Sequence, residues 1–178
     1  APEGDRVDLM IWTTTPWTLP ANMAVAVASD AEYALARIRF MGDDRFVLIA
    51  ESLCDQVLGG GGDVLGRCRG FELVTRGVRY LHPLTDRLCP VVAADYVTLE
   101  DGTGLVHTAP GHGQEDYETG IREGLEIYCP VQEDGTFDQT VPEWLQGKTV
   151  WEANPLVVER LGSRGLLFRE EAFRHSYP

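Results

Sequence analysis

The sequence predicts an α+β, β-rich domain with a closed or strongly coiled β-barrel core and peripheral α-helices. Three observations predict it. The 178 residues, 44% hydrophobic and 9% aromatic, suffice for one packed core. Short runs with a period of two dominate, broken by Gly, Pro and Asp. Few windows carry helix start and stop signals, so the helices are expected outside the sheet.

Val7–Thr15 is rich in branched and large apolar residues and reads as a strand, as does Met23–Ala28. Glu32–Phe40 alternates, with Tyr33, Leu35, Arg37 and Arg39 on one face and Ala34, Ala36, Ile38 and Phe40 on the other. Met41-Gly42-Asp43-Asp44 is a turn, and Arg45–Ala50 returns as the second arm of a hairpin. Glu51–Leu58 has helical composition and stops at Gly59–Gly62, a surface loop. Short strands follow near Val64–Arg69, Phe71–Val74, Pro90–Val92 and Leu105–Thr108. A helix opens near Gly113–Asp116, where acids gather in its first turn. Asn154–Arg164 is the clearest helix, with Asn154 at the N-cap, Pro155 at the first position and Gly165 as the stop. Leu166–Phe168 then reads as a strand.

Twenty-eight acids against 15 bases give a net charge of −13. A surface this acidic does not grip a phosphate backbone or an anionic membrane by bulk electrostatics. No apolar run approaches the roughly 18–20 residues of a membrane span. The four cysteines, Cys54, Cys68, Cys89 and Cys129, form no C-x-x-C half-site and read as reduced, mostly buried thiols of a cytoplasmic protein. The polar start at Ala1-Pro2-Glu3 is no signal peptide, and both ends read as cut from a longer chain.

Two segments concentrate polar chemistry. In Thr13-Thr14-Thr15-Pro16-Trp17-Thr18-Leu19-Pro20-Ala21-Asn22, two prolines bound a turn at a strand end. Its hydroxyls can hold a water or a ligand carbonyl at any physiological pH. The bland reading is a branched strand followed by a packed turn. In Gly102–Tyr117, Gly-x-Gly precedes a strand and lacks a third glycine, so it is no dinucleotide fingerprint. His107 ends that strand and Asp116 lies on the first turn of the next helix, so the two can converge.

Three readings of this second segment stay open. His107, His112 and Asp116 could ligate a metal, although their spacing fits no common zinc pattern. Asp116 could cap its helix while His112 donates to a carbonyl. Asp116 could instead pair with a substrate ammonium. A covalent triad is disfavoured, because there is no Gly-x-Ser-x-Gly elbow and neither segment holds a Cys.

The pair T-T-T-P-W-T-L-P-A-N (Thr13–Asn22) and G-T-G-L-V-H-T-A-P-G-H-G-x-x-D-Y (Gly102–Tyr117) resembles the editing domain of isoleucyl-tRNA synthetases. The valyl and leucyl siblings share that domain family. Their first motif usually reads Thr-Thr-Arg-Pro followed by an acid, where this chain has Thr15 and Trp17. His175-Ser176-Tyr177-Pro178 resembles the point where the insertion returns to the synthetase body. The resemblance implies that residues 1–178 form a single editing domain excised from a larger synthetase. It implies a barrel core and a hydrolytic site that clears valine from tRNA(Ile), with valyl-adenylate as a further substrate.

Carried over position by position, Asp116 holds the α-ammonium, and Thr13, Thr14 and Thr15 place the ester and the attacking water. Trp17 and Asn22 shape the pocket. His107 limits side-chain size and contacts the terminal ribose. Implied partners are the 3′-terminal aminoacyl-adenosine of tRNA(Ile), its valine moiety and the rest of the synthetase, with no membrane. No metal or other cofactor is implied here, while the parent enzyme uses ATP and Mg at another site. His-Ile-Gly-His and Lys-Met-Ser-Lys-Ser, the activation signatures, are absent. A non-catalytic barrel binding the acceptor end, an editing domain of the valyl enzyme and a free-standing editing protein are the alternatives.

Overall fold

The computed structural model describes residues 5–171. The C-terminal motif at His175–Pro178 lies outside them. Eight strands are described: β1 (Val7–Leu9), β2 (Ala24–Val27), β3 (Glu32–Phe40), β4 (Asp43–Ala50), β5 (Gly62–Arg69), β6 (Arg79–Leu81), β7 (Leu88–Ala93) and β8 (Leu105–Thr108). Four α-helices accompany them: α1 (Cys54–Leu58), α2 (Gly70–Thr75), α3 (Gln114–Glu123) and α4 (Val150–Ser163).

The expected closed or strongly coiled barrel is not formed. Among the described residues the strands make two separate four-stranded sheets, ordered β1-β4-β3-β5 and β6-β7-β2-β8. Closure requires edge strands to pair. Here β1 and β6 have three residues each. The mostly exposed β5 carries Asp63, Arg67 and Arg69, charges of the kind that blunt an edge. The period-two pattern identified strands but not which edges would meet.

The chain visits the sheets in turn. After β2 it leaves the second sheet, builds β3, β4 and β5 in the first, and returns so that β7 pairs parallel to β2. The facing sides bury Tyr33, Leu48 and Ala50 from one sheet against Val25, Val27, Val91 and Leu105 from the other. Tyr33 ties the layers together, since its hydroxyl donates to Gly104 O at 2.7 Å and accepts from the Ala28 N–H at 2.9 Å. A separate cluster of Leu19, Phe137, Leu145, Ala153 and Val157 joins α4 to the turn before β2.

The β3–β4 hairpin forms with Phe40 opposite Asp43, so Met41 and Gly42 alone make the turn. Both have positive φ, 52° and 92°, as the favoured two-residue hairpin turn requires. Three expectations are corrected. Phe71–Val74 lies in α2, where Glu72 accepts from the Arg69 N–H at 2.8 Å and starts a helical turn. Helix α4 begins one turn before Asn154: Thr149 is its N-cap, exchanging hydrogen bonds with Glu152. Leu166–Phe168 forms no strand. The first expected strand is also shorter, because only Val7–Leu9 pairs with β4 as a ladder.

Candidate active site

A cleft of about 310 Å³ opens where the link from β1 to β2 crosses β8 and the start of α3. Thr13, Thr14, Thr15, His107 and Asp116 all line it. Five of the seven residues singled out in the sequence therefore meet, although 101 positions separate Thr15 from Asp116.

The threonine turn holds itself. Thr13 Oγ1 accepts from the Thr15 N–H at 3.1 Å. Pro16 starts a 3-10 helix, Pro16–Ala21, in which the Thr18 N–H reaches Thr15 O at 3.0 Å. The Thr18 hydroxyl donates to the same carbonyl at 2.9 Å. Proline suits that first helical position because no N–H is needed there.

His107 sits on β8 opposite Val25 and is 9% exposed. Its Nδ1 lies 3.4 Å from Asn22 Nδ2, and its Nε2 lies 2.8 Å from Thr18 Oγ1. The Asn22 amide also donates to Ala24 O at 2.8 Å, which orients it. An amide nitrogen can only donate, so His107 Nδ1 accepts and Nε2 carries the proton. That proton goes to Thr18 Oγ1, whose own proton is committed to Thr15 O. Burial, with smaller contributions from His82 and His112, pulls the imidazole pKa down to about 4. His107 is therefore a neutral ring at pH 7, with both nitrogens engaged by protein. It offers the cleft bulk and shape, and no free lone pair for proton abstraction.

Asp116 lies in the first turn of α3, where the helix dipole favours a carboxylate. One oxygen accepts from the Ala109 N–H at 3.0 Å. Burial raises its pKa, opposed by that hydrogen bond and by the nearby Tyr96 phenol. A cation bound there would form a charge-assisted contact, worth roughly 1.5–3 kcal/mol. The loop before α3 needs Gly111, since a Cβ there would lie 2.3 Å from Tyr128 O.

Trp17 and Asn22 do not line the cleft. Asn22 stands behind His107, 2% exposed. Trp17 packs edge-on to His112, with centroids 5.2 Å apart at 82°. His112 Nε2 is buried without a hydrogen-bond partner. The cleft also uses residues the sequence did not flag, among them Trp12, Tyr96, Thr98 and Asp101. Tyr96 and Thr98 come from an irregular segment after β7 that carries no motif. Trp12 adjoins the threonines and could have been read from that adjacency. No group of three or more His, Cys, Asp or Glu side chains is arranged to hold a metal among the described residues. No helix among them is long and apolar enough to cross a membrane.

Residues 69–153 match the family model described as "Leucyl-tRNA synthetase, editing domain". The chain is 49% identical over 174 residues, 96% of its length, to an isoleucine–tRNA ligase of Nitratidesulfovibrio vulgaris. It is 50% identical over 180 residues, 99% of its length, to that of Halorhodospira halophila. The chain belongs to the aminoacyl-tRNA synthetase editing-domain family. It spans 18% of the length of those two ligases. Its fold matches a solved structure described as GlLeuRS-CP1 with a TM-score of 0.73 at 15% identity, covering 98% of this chain and 86% of that one. Two layers of short sheet with peripheral helices are thus the architecture this editing-domain chain shares with that structure.

Proposed function

We propose that this cleft hydrolyses the ester joining valine to the 3′-terminal adenosine of tRNA(Ile), with valyl-adenylate as a further substrate. The observation that carries the reading is the meeting of one half-buried carboxylate, a cluster of threonine hydroxyls and a neutral histidine in a single cleft. Asp116 anchors the α-ammonium. The threonine turn orients the ester and a water, which supplies catalysis mainly by positioning. With both nitrogens of His107 engaged, proton abstraction falls to the substrate's own ribose hydroxyl or to solvent. His107 walls the pocket beside the amino-acid side chain and the terminal ribose. No covalent intermediate and no metal are required. Trp17 and Asn22 act from behind, shaping the wall rather than touching substrate.

The need for such a site follows from the size difference. Valine lacks one methylene of isoleucine, and isoleucyl enzymes are the known example of a synthetic pocket limited to about 150-fold selection. That ratio is about 3 kcal/mol. A second pocket that excludes the larger side chain by overlap reverses the preference. We place the chain as an editing module of a longer cytoplasmic synthetase, which holds the tRNA body. The net charge of −13 fits a domain that receives only the aminoacyl-adenosine end. Single-turnover deacylation of Val-tRNA(Ile), with Ile-tRNA(Ile) as control, tests the reading. Hydrolysis of the valyl ester alone supports it, and no hydrolysis of either ester leaves a binding module.

A further inference from the structure

His107 is held by a chain of hydrogen bonds that does not end at Asn22. Tyr80 on the edge strand β6 donates its hydroxyl proton to Asn22 Oδ1. It comes from a strand that takes no part in lining the cleft. The Tyr80 hydroxyl lies in a desolvated setting that raises its pKa, so the phenol keeps its proton. An asparagine amide is nearly symmetric in shape, and its orientation is set by what faces each end. A donor on the Oδ1 side and a carbonyl acceptor, Ala24 O, on the Nδ2 side select one orientation. That orientation points an N–H at His107 Nδ1.

We propose that Tyr80 is a positioning residue for the hydrolytic reaction, fixing the His107 tautomer and the threonine turn through Asn22 and Thr18. The inference rests on the proposed ester hydrolysis for its kinetic readout, and on geometry alone for its spectroscopic one. Every donor in the chain runs one way: Tyr80 to Asn22, Asn22 to His107, His107 to Thr18, Thr18 to Thr15 O. Remove the Tyr80 hydroxyl and Ala24 O alone still selects that orientation, so a flipped fraction of the amide appears at the cost of setting Oδ1 against Ala24 O. In that fraction the oxygen faces His107 Nδ1, the proton moves to Nδ1, and Nε2 takes the Thr18 hydroxyl proton. Thr15 O loses that donor, and the turn presenting Thr13–Thr15 loosens.

The test uses ¹⁵N-histidine labelling of the 178-residue chain and long-range ¹⁵N–¹H spectra, which separate the two neutral tautomers. Wild type should show His107 protonated at Nε2, and a wild type protonated at Nδ1 overturns the proposal before any variant is made. Tyr80→Phe should shift His107 toward the Nδ1-protonated form. Its kcat for Val-tRNA(Ile) should fall at least fivefold with KM within twofold. Asn22→Asp, with Tyr80 intact, presents a carboxylate to Nδ1 and should move the proton there as well. If Tyr80→Phe does not fold, a neutral His107 still protonated at Nε2 alone in Asn22→Asp overturns the relay. An unchanged tautomer and kcat in a folded Tyr80→Phe overturn it directly. A wild type that shows the Nε2 tautomer but hydrolyses no ester would refute the activity and leave the positioning geometry in place.

Discussion

Asn154 Oδ1 accepts a hydrogen bond from the backbone N–H of Trp17 at 3.0 Å, across 137 positions of sequence. The residue read from sequence as a helix cap instead pins the turn beside the cleft to α4. The Trp17 N–H lies within the first turn of the 3-10 helix and has no partner inside it. Asn154→Ala leaves that donor unsatisfied in a partly buried place, which costs about 1–3 kcal/mol. Urea unfolding should show that loss. Deacylation should fall further than stability explains, because Thr15 is two residues away. A variant with wild-type rate and wild-type midpoint would show that α4 does not hold the turn.

Asp116→Ala should lower the single-turnover rate on Val-tRNA(Ile) more than tenfold. The loss of a charge-assisted contact of roughly 2 kcal/mol corresponds to about thirtyfold. Asp116→Asn keeps a group that can accept from the Ala109 N–H but loses the charge. It should fold at least as well as Asp116→Ala and still be impaired. A rate above one-tenth of wild type in both would remove Asp116 as the ammonium anchor.

His107→Ala removes a ring from the cleft wall. If His107 sets the size limit, Ile-tRNA(Ile) becomes a substrate, and the ratio of Val to Ile cleavage should fall by an order of magnitude or more. The same variant leaves the Asn22 amide and the Thr18 hydroxyl without their shared partner. His107→Gln restores some of that bonding and bulk, so its Val rate should exceed that of His107→Ala. Loss of Val cleavage with no gain for Ile in either variant would make the ring a support for the turn and not a gate.

The site was legible because its chemistry is local in two runs of sequence. Thr13–Thr15 stand directly before Pro16, and His107 and Asp116 flank one tight loop. Their meeting was not legible, since it depends on β2 and β8 pairing antiparallel, with Val25 opposite His107. Tyr96 and Thr98 carry no spacing or motif that marks them, and they reach the cleft only through tertiary placement. The β3–β4 hairpin followed from period two and the turn signal at Met41–Asp44, of which Asp43 and Asp44 already belong to β4. The barrel did not follow, because alternation defines faces and says nothing of edge partners. Phe71–Val74 misled because so short a segment, three apolar residues around Glu72, fits either strand or helix. Pro155 misleads more instructively: proline suits a first helical position, whereas the Thr149–Glu152 capping box starts the helix one turn earlier.

Gly111→Ala tests the loop that delivers Asp116. The added Cβ would lie 2.3 Å from Tyr128 O and 2.8 Å from Cys129 Cβ. Backbone must move to relieve the first clash, so the cost should reach about 1–3 kcal/mol, as for overpacking elsewhere. Gly124→Ala is the comparison: its φ of +65° is unfavourable for alanine, but open space surrounds it. Gly124→Ala should lose stability with its editing rate intact, whereas Gly111→Ala should lose both. Equal editing rates in the two would mean that the loop position is immaterial.

Acid stability should report the buried histidines. His82 is 1% exposed, with Nδ1 accepting from the Leu84 and Thr85 N–H groups at 3.0 and 3.1 Å and Nε2 donating to Leu19 O at 2.9 Å. Desolvation pulls its pKa down to about 4, as it does for His107. In the unfolded chain both titrate near the ordinary value of 6.5. Below that pH the unfolded state binds more protons, so stability is full above about 6.5 and falls as the pH drops toward 4. At 1.36 kcal/mol per unit, each group costs about 2 kcal/mol by pH 5. Asp116 works the other way, because burial raises its pKa and its protonation favours the folded state on acidification. His82→Gln removes one histidine contribution and leaves those of His107 and of His112, which burial also holds below the ordinary value. Urea unfolding at pH 7 and pH 5 should therefore show a drop in the variant that is smaller than the wild-type drop by about 2 kcal/mol, from a lower starting stability. Equal drops would mean that His82 does not titrate with unfolding, and the donor pair on Nδ1 would then have to survive protonation, which a single nitrogen lone pair does not allow.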